Sequence, residues 1–323
     1  MYHDLTLRDG SHAIAHQLTE DMIISHCKFA EDAGIEVVEV GHGCGNAASS
    51  ILIGKSLLSD YDMISIAKKH LKKTKLSAHF IPGFATIERD LNLAISLGVD
   101  IFRIASHCTE ASVTKSHIEY LASKGKTVYG VLMMTATCTT DILFVEASKM
   151  KSYGALAIII MDSSGSFKPK DVTERIKKLT TLNIPIGFHG HNNYNLAVAN
   201  SLAAIESGAS IIDVTIKGFG AGAGNTPLEV MAFLHESPSI NKTKLIEYCD
   251  NTTTIFAPTT KPIHLLTAAV KIASCFESHI LKACNTNKIS YVDFFNELAK
   301  HNLTAGQEDL VYILAEKYKN SKI

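Results

Sequence analysis

Several features that define other classes of protein are missing from this sequence of 323 residues. Its apolar runs, such as 156–161, fall far short of the roughly 20 residues that a membrane-spanning helix needs. Lysine and arginine (31) nearly balance aspartate and glutamate (32), so neither a strongly basic surface nor an acidic tail is expected. We therefore expect neither a membrane nor a nucleic acid as its partner.

Tryptophan is absent, and the seven cysteines are scattered without a C-x-x-C pair. This pattern fits neither a disulfide framework nor a structural zinc cluster, and it favours a reducing compartment. The first ten residues include Asp4, Arg8 and Asp9, which argues against a secretory signal. We expect a cytoplasmic protein, and its 46% hydrophobic residues are enough for a sizeable core.

Short apolar runs alternate along the chain with longer stretches of helical spacing, several of which end at a glycine. The runs interpreted as strands are 4–7, 37–40, 76–80, 101–104, 128–133, 157–161, 184–188 and 211–216. Eight strands, each followed by a helix, predict an α/β fold, a (β/α)8 TIM barrel. An open doubly wound sheet is the alternative, but no glycine-rich fingerprint follows the first strand.

The pattern changes near Pro258 and Pro262, after which the sequence is wholly helical in character. We predict helices over 265–283, 291–301 and 307–319. The predicted domains are a catalytic barrel over 1–257 and a small helical C-terminal domain over 258–323. We expect the second domain to cover the barrel as a lid or to contact a partner protein.

Polar residues that follow the predicted strands should lie together, because the C-terminal ends of barrel strands meet at one rim. His189 and His191 alternate along strand 7, so both imidazoles face the same side. Asp9, at the end of strand 1, adds a carboxylate. Two histidines and a carboxylate suit Mn²⁺, Mg²⁺, Zn²⁺ or Fe²⁺ acting as a Lewis acid, although an isolated H-x-H is more often two unrelated histidines.

Other residues at the same rim have reactive side chains. Arg8 could bind a carboxylate and stabilise oxyanion charge, or form an ordinary ion pair. His12 is a candidate general base, or a loop histidine with a structural hydrogen bond. The segment 220–225 (GAGAGN) could hold phosphate or simply form a tight turn, and Lys217 could form a Schiff base or be solvated.

In combination, these motifs resemble the bacterial 4-hydroxy-2-oxovalerate aldolases over almost the whole chain. The matching segments are Leu7-Arg8-Asp9-Gly10 with His12, 39–43 (EVGHG), 105–111 (ASHCTEA), 161–163 (MDS), 188–192 (FHGHN), 220–225 (GAGAGN) and 306–309 (GQED). These are class II pyruvate aldolases of the metal-dependent TIM-barrel superfamily that includes HMG-CoA lyase and isopropylmalate synthase.

The resemblance implies a TIM barrel with a helical C-terminal domain, and it assigns roles to individual residues. Asp9, His189 and His191 match the ligands of a divalent metal, usually Mn²⁺. Arg8 matches the residue that stabilises the pyruvate enolate, His12 the proton-accepting histidine, and Ser163 a substrate-binding serine. The implied reaction cleaves a 4-hydroxy-2-oxoacid to pyruvate and an aldehyde, as in the catabolism of aromatic hydrocarbons.

The sequence departs from the family at two positions. A substrate-contacting tyrosine of the family would align near Ala273, where the chain has none, and Lys217 replaces a small residue. The resemblance implies an acylating acetaldehyde dehydrogenase as a partner, because family members normally pair with one, and we expect the chain to form an oligomer. The alternatives are an acyl-CoA-dependent Claisen condensing enzyme or lyase, a Schiff-base aldolase that uses Lys217, and a non-catalytic barrel subunit.

Overall fold

The computed structural model describes residues 1–235, 237, 239–301, 303–304 and 306–321. It contains a strand at each of the eight predicted places, with ends that differ from the predicted ones by at most three residues. The strands are β1 (Tyr2–Leu7), β2 (Val37–Val40), β3 (Lys75–Phe80), β4 (Ile101–His107), β5 (Thr127–Met133), β6 (Ala157–Asp162), β7 (Ile186–Gly190) and β8 (Ile211–Val214).

All eight strands are parallel, and they close into a barrel in sequence order. Closure is visible at Asp4 of β1, which is in register with Val38 of β2 on one side and Val214 of β8 on the other. The predicted (β/α)8 barrel is therefore confirmed, and the open doubly wound alternative is wrong.

Helices of the barrel surround this sheet and bury their apolar faces against it. The predicted glycine stops at Gly98, Gly125 and Gly208 all have positive φ (80°, 66° and 104°), the conformation that glycine adopts without steric cost. The helices are α1 (Glu20–Ala33), α2 (Asp60–His70), α3 (Asn92–Ser96), α4 (Lys115–Ser123), α5 (Thr140–Ser152), α6 (Pro169–Thr180), α7 (Ala197–Glu206), α8 (Leu228–Leu234) and α9 (Lys242–Asn251).

Four further helices form a layer that packs mainly on its own core, which includes Phe276, Phe294 and Phe295. They are α10 (Pro262–Ala269), α11 (Glu277–Asn287), α12 (Tyr291–Leu298) and α13 (Glu308–Asn320). Met134, from the loop after β5, belongs to the same apolar cluster and joins this layer to the barrel. The domain boundary between 257 and 258 stays a prediction.

The predicted single helix over 265–283 is wrong, because the chain breaks between α10 and α11. Lys271 has φ of 59°, which a helix cannot accommodate, and a short 3₁₀ turn (Ser274–Phe276) follows. The break frees the backbone N–H of Ser274 to donate to the carbonyl of Ser163 at 2.9 Å. This contact brings the residues around Ala273 onto the mouth of the barrel.

Within the described part of the chain, no helix combines the length and the apolar character required to cross a membrane.

Candidate metal and substrate site

Asp9, His189 and His191 meet at the C-terminal mouth of the barrel, as the sequence predicts. One potential ligand atom from each lies within 4.8 Å of the other two, and all three residues are buried. The Nε2 atoms of His189 and His191 are 3.2 Å apart, and His189 Nε2 lies 3.9 Å from Asp9 Oδ2. Two nitrogens and one carboxylate oxygen that converge in this way form a donor set suited to a divalent transition metal.

The carboxylate of Asp9 is held in place by the glycine-rich segment after β8. Asn225 Nδ2 donates to Asp9 Oδ1 at 2.7 Å, and the backbone N–H of Ala221 donates to the same oxygen at 3.3 Å. A Cβ atom at Gly220 would come within 2.0 Å of Asn225 Nδ2, so glycine leaves the amide its room. The segment, for which a phosphate cradle and a tight turn were the two alternatives, therefore binds a carboxylate of the chain itself.

The buried ion pair of Asp213 with Arg103 orients His189. Asp213 Oδ2 lies 3.2 Å from His189 Nδ1, and Arg103 donates two hydrogen bonds to the Asp213 carboxylate, the longer at 3.1 Å. A carboxylate that accepts the Nδ1–H of a histidine leaves the Nε2 lone pair free for a metal ion. Burial disfavours charge on His191 and lowers its pKa to about 3, so its imidazole is neutral, as a ligand must be.

Arg8 lies beside the three candidate metal ligands and is fixed by two carboxylates. Its Nε donates to Glu39 Oε1 at 2.7 Å and its Nη1 to Asp9 Oδ2 at 2.8 Å. Its Nη2 is buried and has no acceptor in the described part of the chain. Because an unpaired buried donor is costly, this atom indicates an acceptor that a bound molecule or solvent supplies.

His12 lies in a short 3₁₀ helix (Asp9–Ile14) that follows β1, next to Cys44. Burial opposes charge on His12, but the Cys44 thiol and the Asp9 carboxylate outweigh it and raise the His12 pKa above its usual value. The Cys275 thiol hydrogen bond and the neighbouring His12 in turn hold the pKa of Cys44 well below its usual range. His12 therefore belongs to an imidazole–thiol pair, which the sequence did not indicate.

Ser163 completes the set of predicted residues. Arg8, Asp9, His12, Ser163 and His191 line one pocket of about 60 Å³, and His189 contacts His191 beneath it. The Oγ atom of Ser163 accepts a hydrogen bond from the backbone N–H of Met134 at 2.9 Å.

Lys217 is not part of this pocket. It follows β8 as predicted, but its Nζ donates to the carbonyl of Thr252 at 3.1 Å, and its backbone N–H donates to Glu229. The position of Lys217 therefore does not support its use as a Schiff-base lysine.

Sequence reasoning gave no role to several residues of the site. These are Glu39, Cys44, His79, Asp213, Asn225 and Cys275. Two of them had a usable signal: Glu39 and Asn225 lie inside motifs that were noted for their neighbours. Asp213 lies within the apolar run of β8, where a carboxylate needs a buried partner.

Comparison with known proteins places the chain in a family. Residues 1–249 match the family model described as HMGL-like. A 4-hydroxy-2-oxovalerate aldolase of Pectobacterium atrosepticum is 46% identical over 320 residues, which cover 97% of this chain and 93% of that protein. The protein of the same name from Spirochaeta aurantia is 44% identical over 325 residues, covering 98% and 95% of the two chains.

Solved structures of lower identity share the fold. The carboxyl transferase domain of Rhizobium etli pyruvate carboxylase, with pyruvate and biocytin, superposes with a TM-score of 0.80 at 13% identity. The match covers 99% of this chain and 60% of that one. An N-terminal domain from Bacteroides vulgatus gives a TM-score of 0.70 at 23% identity, covering 84% of this chain and 93% of that domain.

The barrel fold, the residues at its mouth and the full-length relatives all indicate the same family. The chain belongs to the HMGL-like family and, within it, to the 4-hydroxy-2-oxovalerate aldolases, which are carbon–carbon lyases.

Proposed function

We propose that this protein is a divalent-metal-dependent aldolase that cleaves a 4-hydroxy-2-oxoacid to pyruvate and an aldehyde. The observation that carries the proposal is the convergence of Asp9, His189 and His191 beside a buried guanidinium nitrogen of Arg8 that has no acceptor among the described residues. Relatives that span the same length have names that describe this reaction.

The chain's own residues fit a bound metal ion. The Nε2 atoms of the two imidazoles lie 3.2 Å apart, close enough to bind one ion when both are deprotonated, and Asp9 places an oxygen near both. Mn²⁺ is our preferred ion, and Mg²⁺ is the main alternative. When bound by these three residues, the ion would polarise the keto acid's carbonyl and offset negative charge.

Arg8 and Ser163 are placed to bind the keto-acid end of the substrate. The free Nη2 of Arg8 can donate to the oxygen on which negative charge develops as the C3–C4 bond breaks. The Ser163 hydroxyl, whose oxygen already accepts from Met134, retains its own proton for donation to the substrate.

His12 is placed to accept the proton of the C4 hydroxyl. As that proton leaves, the C4–O bond becomes the aldehyde carbonyl, and the electrons of the C3–C4 bond pass to the C2 oxygen. The nearby Cys44 and Asp9 favour the protonated form of His12. The same proton can then return to C3 of the enolate, which gives pyruvate and restores His12.

Pyruvate release tests the proposal directly. Protein loaded with Mn²⁺ is incubated with a panel of 4-hydroxy-2-oxoacids, and pyruvate is coupled to lactate dehydrogenase. We expect activity that excess chelator abolishes and added Mn²⁺ restores. Full activity after dialysis against chelator would refute the metal mechanism, whereas a rate that depends on acyl-CoA would favour the Claisen alternative.

Its assembly and location are further proposals. We propose that the protein is an oligomer that binds an acylating acetaldehyde dehydrogenase, as expected from its family, and that it is cytoplasmic, as its scattered cysteines favour. Light scattering of the purified protein tests the oligomeric state. Co-purification with a dehydrogenase of this class tests the partner.

A further inference from the structure

His79 is a polar side chain in the wall of the pocket, and the reaction proposed above gives it no role. It lies near the end of β3 and borders the same space of about 60 Å³ as Arg8, Asp9 and His12. Its Nδ1 atom is buried and has no partner among the described residues. Its Nε2 atom makes no hydrogen bond within that part of the chain either, but it is not fully buried. Nε2 is therefore the ring nitrogen that a molecule in the pocket can reach.

The loop after β2 holds the His79 ring beside the pocket. The backbone N–H of Asn46 donates to the carbonyl of His79 at 2.8 Å. A Cβ atom at Gly45 would lie 3.0 Å from Cδ2 of His79, and one at Gly43 would lie 2.4 Å from Nε2 of His12. The two imidazoles therefore pack against positions of one loop that are two residues apart, and both border the pocket. This loop sets His79 on the same side of the pocket as His12.

The ring of His79 is a hydrogen-bond donor and is poorly suited to be a base. Burial and the nearby Arg8 guanidinium lower the pKa of His79 to about 3, so the imidazole is neutral near neutral pH and has one N–H group. A proton on Nδ1 would be a buried donor without an acceptor, which is costly, so the proton resides on Nε2. His79 therefore presents an uncharged N–H group to the pocket.

A substrate of the proposed reaction has three polar groups to bind, namely its carboxylate, its C2 carbonyl and its C4 hydroxyl. The metal site, Arg8 and Ser163 are placed for the first two. His12 accepts the proton of the C4 hydroxyl, which leaves the lone pairs of the C4 oxygen without a donor. Ser274, in the same wall, already donates to Asn193 at 2.8 Å. Since thiols donate only weakly, His79 is the stronger donor that remains for the C4 oxygen.

We infer that His79 donates its Nε2–H to the C4 oxygen of the substrate. The inference rests on the proposed aldolase function, and it involves only the hydroxyl group that the name 4-hydroxy-2-oxovalerate contains. The bond would hold the C4 oxygen so that its own proton is directed at His12. It would persist while that oxygen becomes the aldehyde carbonyl. His79 keeps its proton throughout, and His12 remains the base.

Three substitutions at this position test the inference with the Mn²⁺-loaded protein and 4-hydroxy-2-oxovalerate. His79→Leu removes both ring nitrogens, His79→Asn places an amide near the position of Nδ1, and His79→Gln places one near that of Nε2. We expect kcat/KM to fall by about 10- to 100-fold in His79→Leu and His79→Asn, and His79→Gln to recover at least about tenfold of the loss. His235→Leu, at an exposed position that contacts Tyr2 at the start of β1, should match the wild type. Equal activity in His79→Gln and His79→Asn would contradict the assignment of Nε2.

Hydrogen exchange of pyruvate distinguishes this contact from a general disturbance of the pocket. Pyruvate has no C4 oxygen, but exchange of its methyl protons in D₂O still requires the metal site, Arg8 and His12. Nuclear magnetic resonance measures the exchange. We expect His79→Leu to lower cleavage at least about tenfold more than it lowers exchange. Equal losses in the two reactions would overturn the inference. Melting temperatures identify a variant that fails to fold, in which case His79→Gln and His79→Asn decide.

Failure of the inference and failure of the proposed function give different results. If the wild type and His79→Leu cleave the acid with equal kcat/KM, the inference is overturned and the aldolase proposal stands. If the wild type releases no pyruvate, the aldolase proposal fails, and calorimetry still tests the contact. The wild type should then bind 4-hydroxy-2-oxovalerate more tightly than 2-oxovalerate, and His79→Leu should reduce this preference by about three- to tenfold. An equal preference in the two proteins overturns the inference.

Discussion

Asn225 donates a hydrogen bond from its Nδ2 to the Oδ1 atom of Asp9 at 2.7 Å, across 216 positions of sequence. Asp9 follows the first strand of the barrel and Asn225 the last, so the bond forms only because β1 pairs with β8. It occupies Oδ1 and leaves Oδ2 on the side of His189. The two ends of the barrel sequence therefore jointly orient the proposed metal carboxylate.

Replacement of Asn225 should weaken metal binding although Asn225 is not itself one of the proposed metal ligands. We expect Asn225→Ala to lower the affinity for Mn²⁺ by about 10- to 100-fold, the usual effect of losing a group that orients a ligand. Electron paramagnetic resonance of free Mn²⁺ measures it. Asn285→Ala, at an exposed position of α11, is the control. An unchanged affinity in Asn225→Ala would show that Asp9 needs no such support.

Arg8→Lys should separate turnover from metal binding. Lysine keeps the positive charge beside Asp9 and Glu39 but lacks the second guanidinium nitrogen that is free to meet the substrate. We expect kcat to fall by about 10²- to 10³-fold, as for loss of an oxyanion donor, with Mn²⁺ affinity changed much less. Arg89→Lys, at an exposed position, is the matched control. Loss of metal binding in step with turnover would contradict this role.

The pH dependence of kcat/KM should report His12 and its neighbour Cys44. A general base acts when deprotonated, so activity should rise with pH through the His12 pKa, which the thiol and Asp9 raise. Cys44→Ser removes the ionisable thiol, so the His12 pKa should fall and the acidic limb should move to lower pH. A bound cation would lower this pKa in both proteins and leave the sign of the difference unchanged.

Cys249→Ser is the control for that profile, because Cys249 lies in α9, away from the pocket. If the acidic limb of kcat/KM has the same apparent pKa in Cys44→Ser and in the wild type, another group controls the pH dependence.

The strands and the metal-ligand set could be predicted because their signals are local. β-Branched apolar runs mark buried parallel strands, and the common orientation of His189 and His191 follows from their separation by two positions at the end of one strand. The break at Lys271 has no such signal, since no glycine or proline marks it and the apolar spacing continues through it. It forms because the docking of Ser274 on Ser163 stabilises a conformation that the local sequence disfavours.

Residues that act through distant partners could not be predicted for a related reason. Cys44 is one of seven scattered cysteines in the sequence, and only the packing of the C-terminal layer brings Cys275 next to it. Asp213 likewise acquires its role from Arg103, which is 110 positions away on β4. Neither spacing carries a periodic pattern, so the role of Asp213 follows from barrel closure and that of Cys44 from the packing of the C-terminal layer.

Asp213→Asn should impair both stability and metal binding, because Asp213 serves both. Arg103 would lose its hydrogen-bonded carboxylate and keep only the Glu39 contact at 3.4 Å, so we expect a loss of about 3–5 kcal/mol in unfolding free energy. The His189 Nδ1–H would lose its charged acceptor, which should also weaken Mn²⁺ affinity by about 10- to 100-fold. Urea denaturation and Mn²⁺ titration measure the two effects.

The same network gives the wild type a defined acid sensitivity. Burial opposes ionisation of Glu39, but Arg103 and Arg8 outweigh it and lower its pKa to about 2 from the ordinary 4.5. A carboxylate with a lowered folded-state pKa stabilises the protein fully above its unfolded-state pKa, and this contribution disappears as pH falls towards the folded-state value. The unfolding free energy of the wild type should therefore decline from about pH 4.5 towards pH 2. Glu39→Gln should decline less steeply there, and parallel pH profiles for the two proteins would exclude the network as the cause.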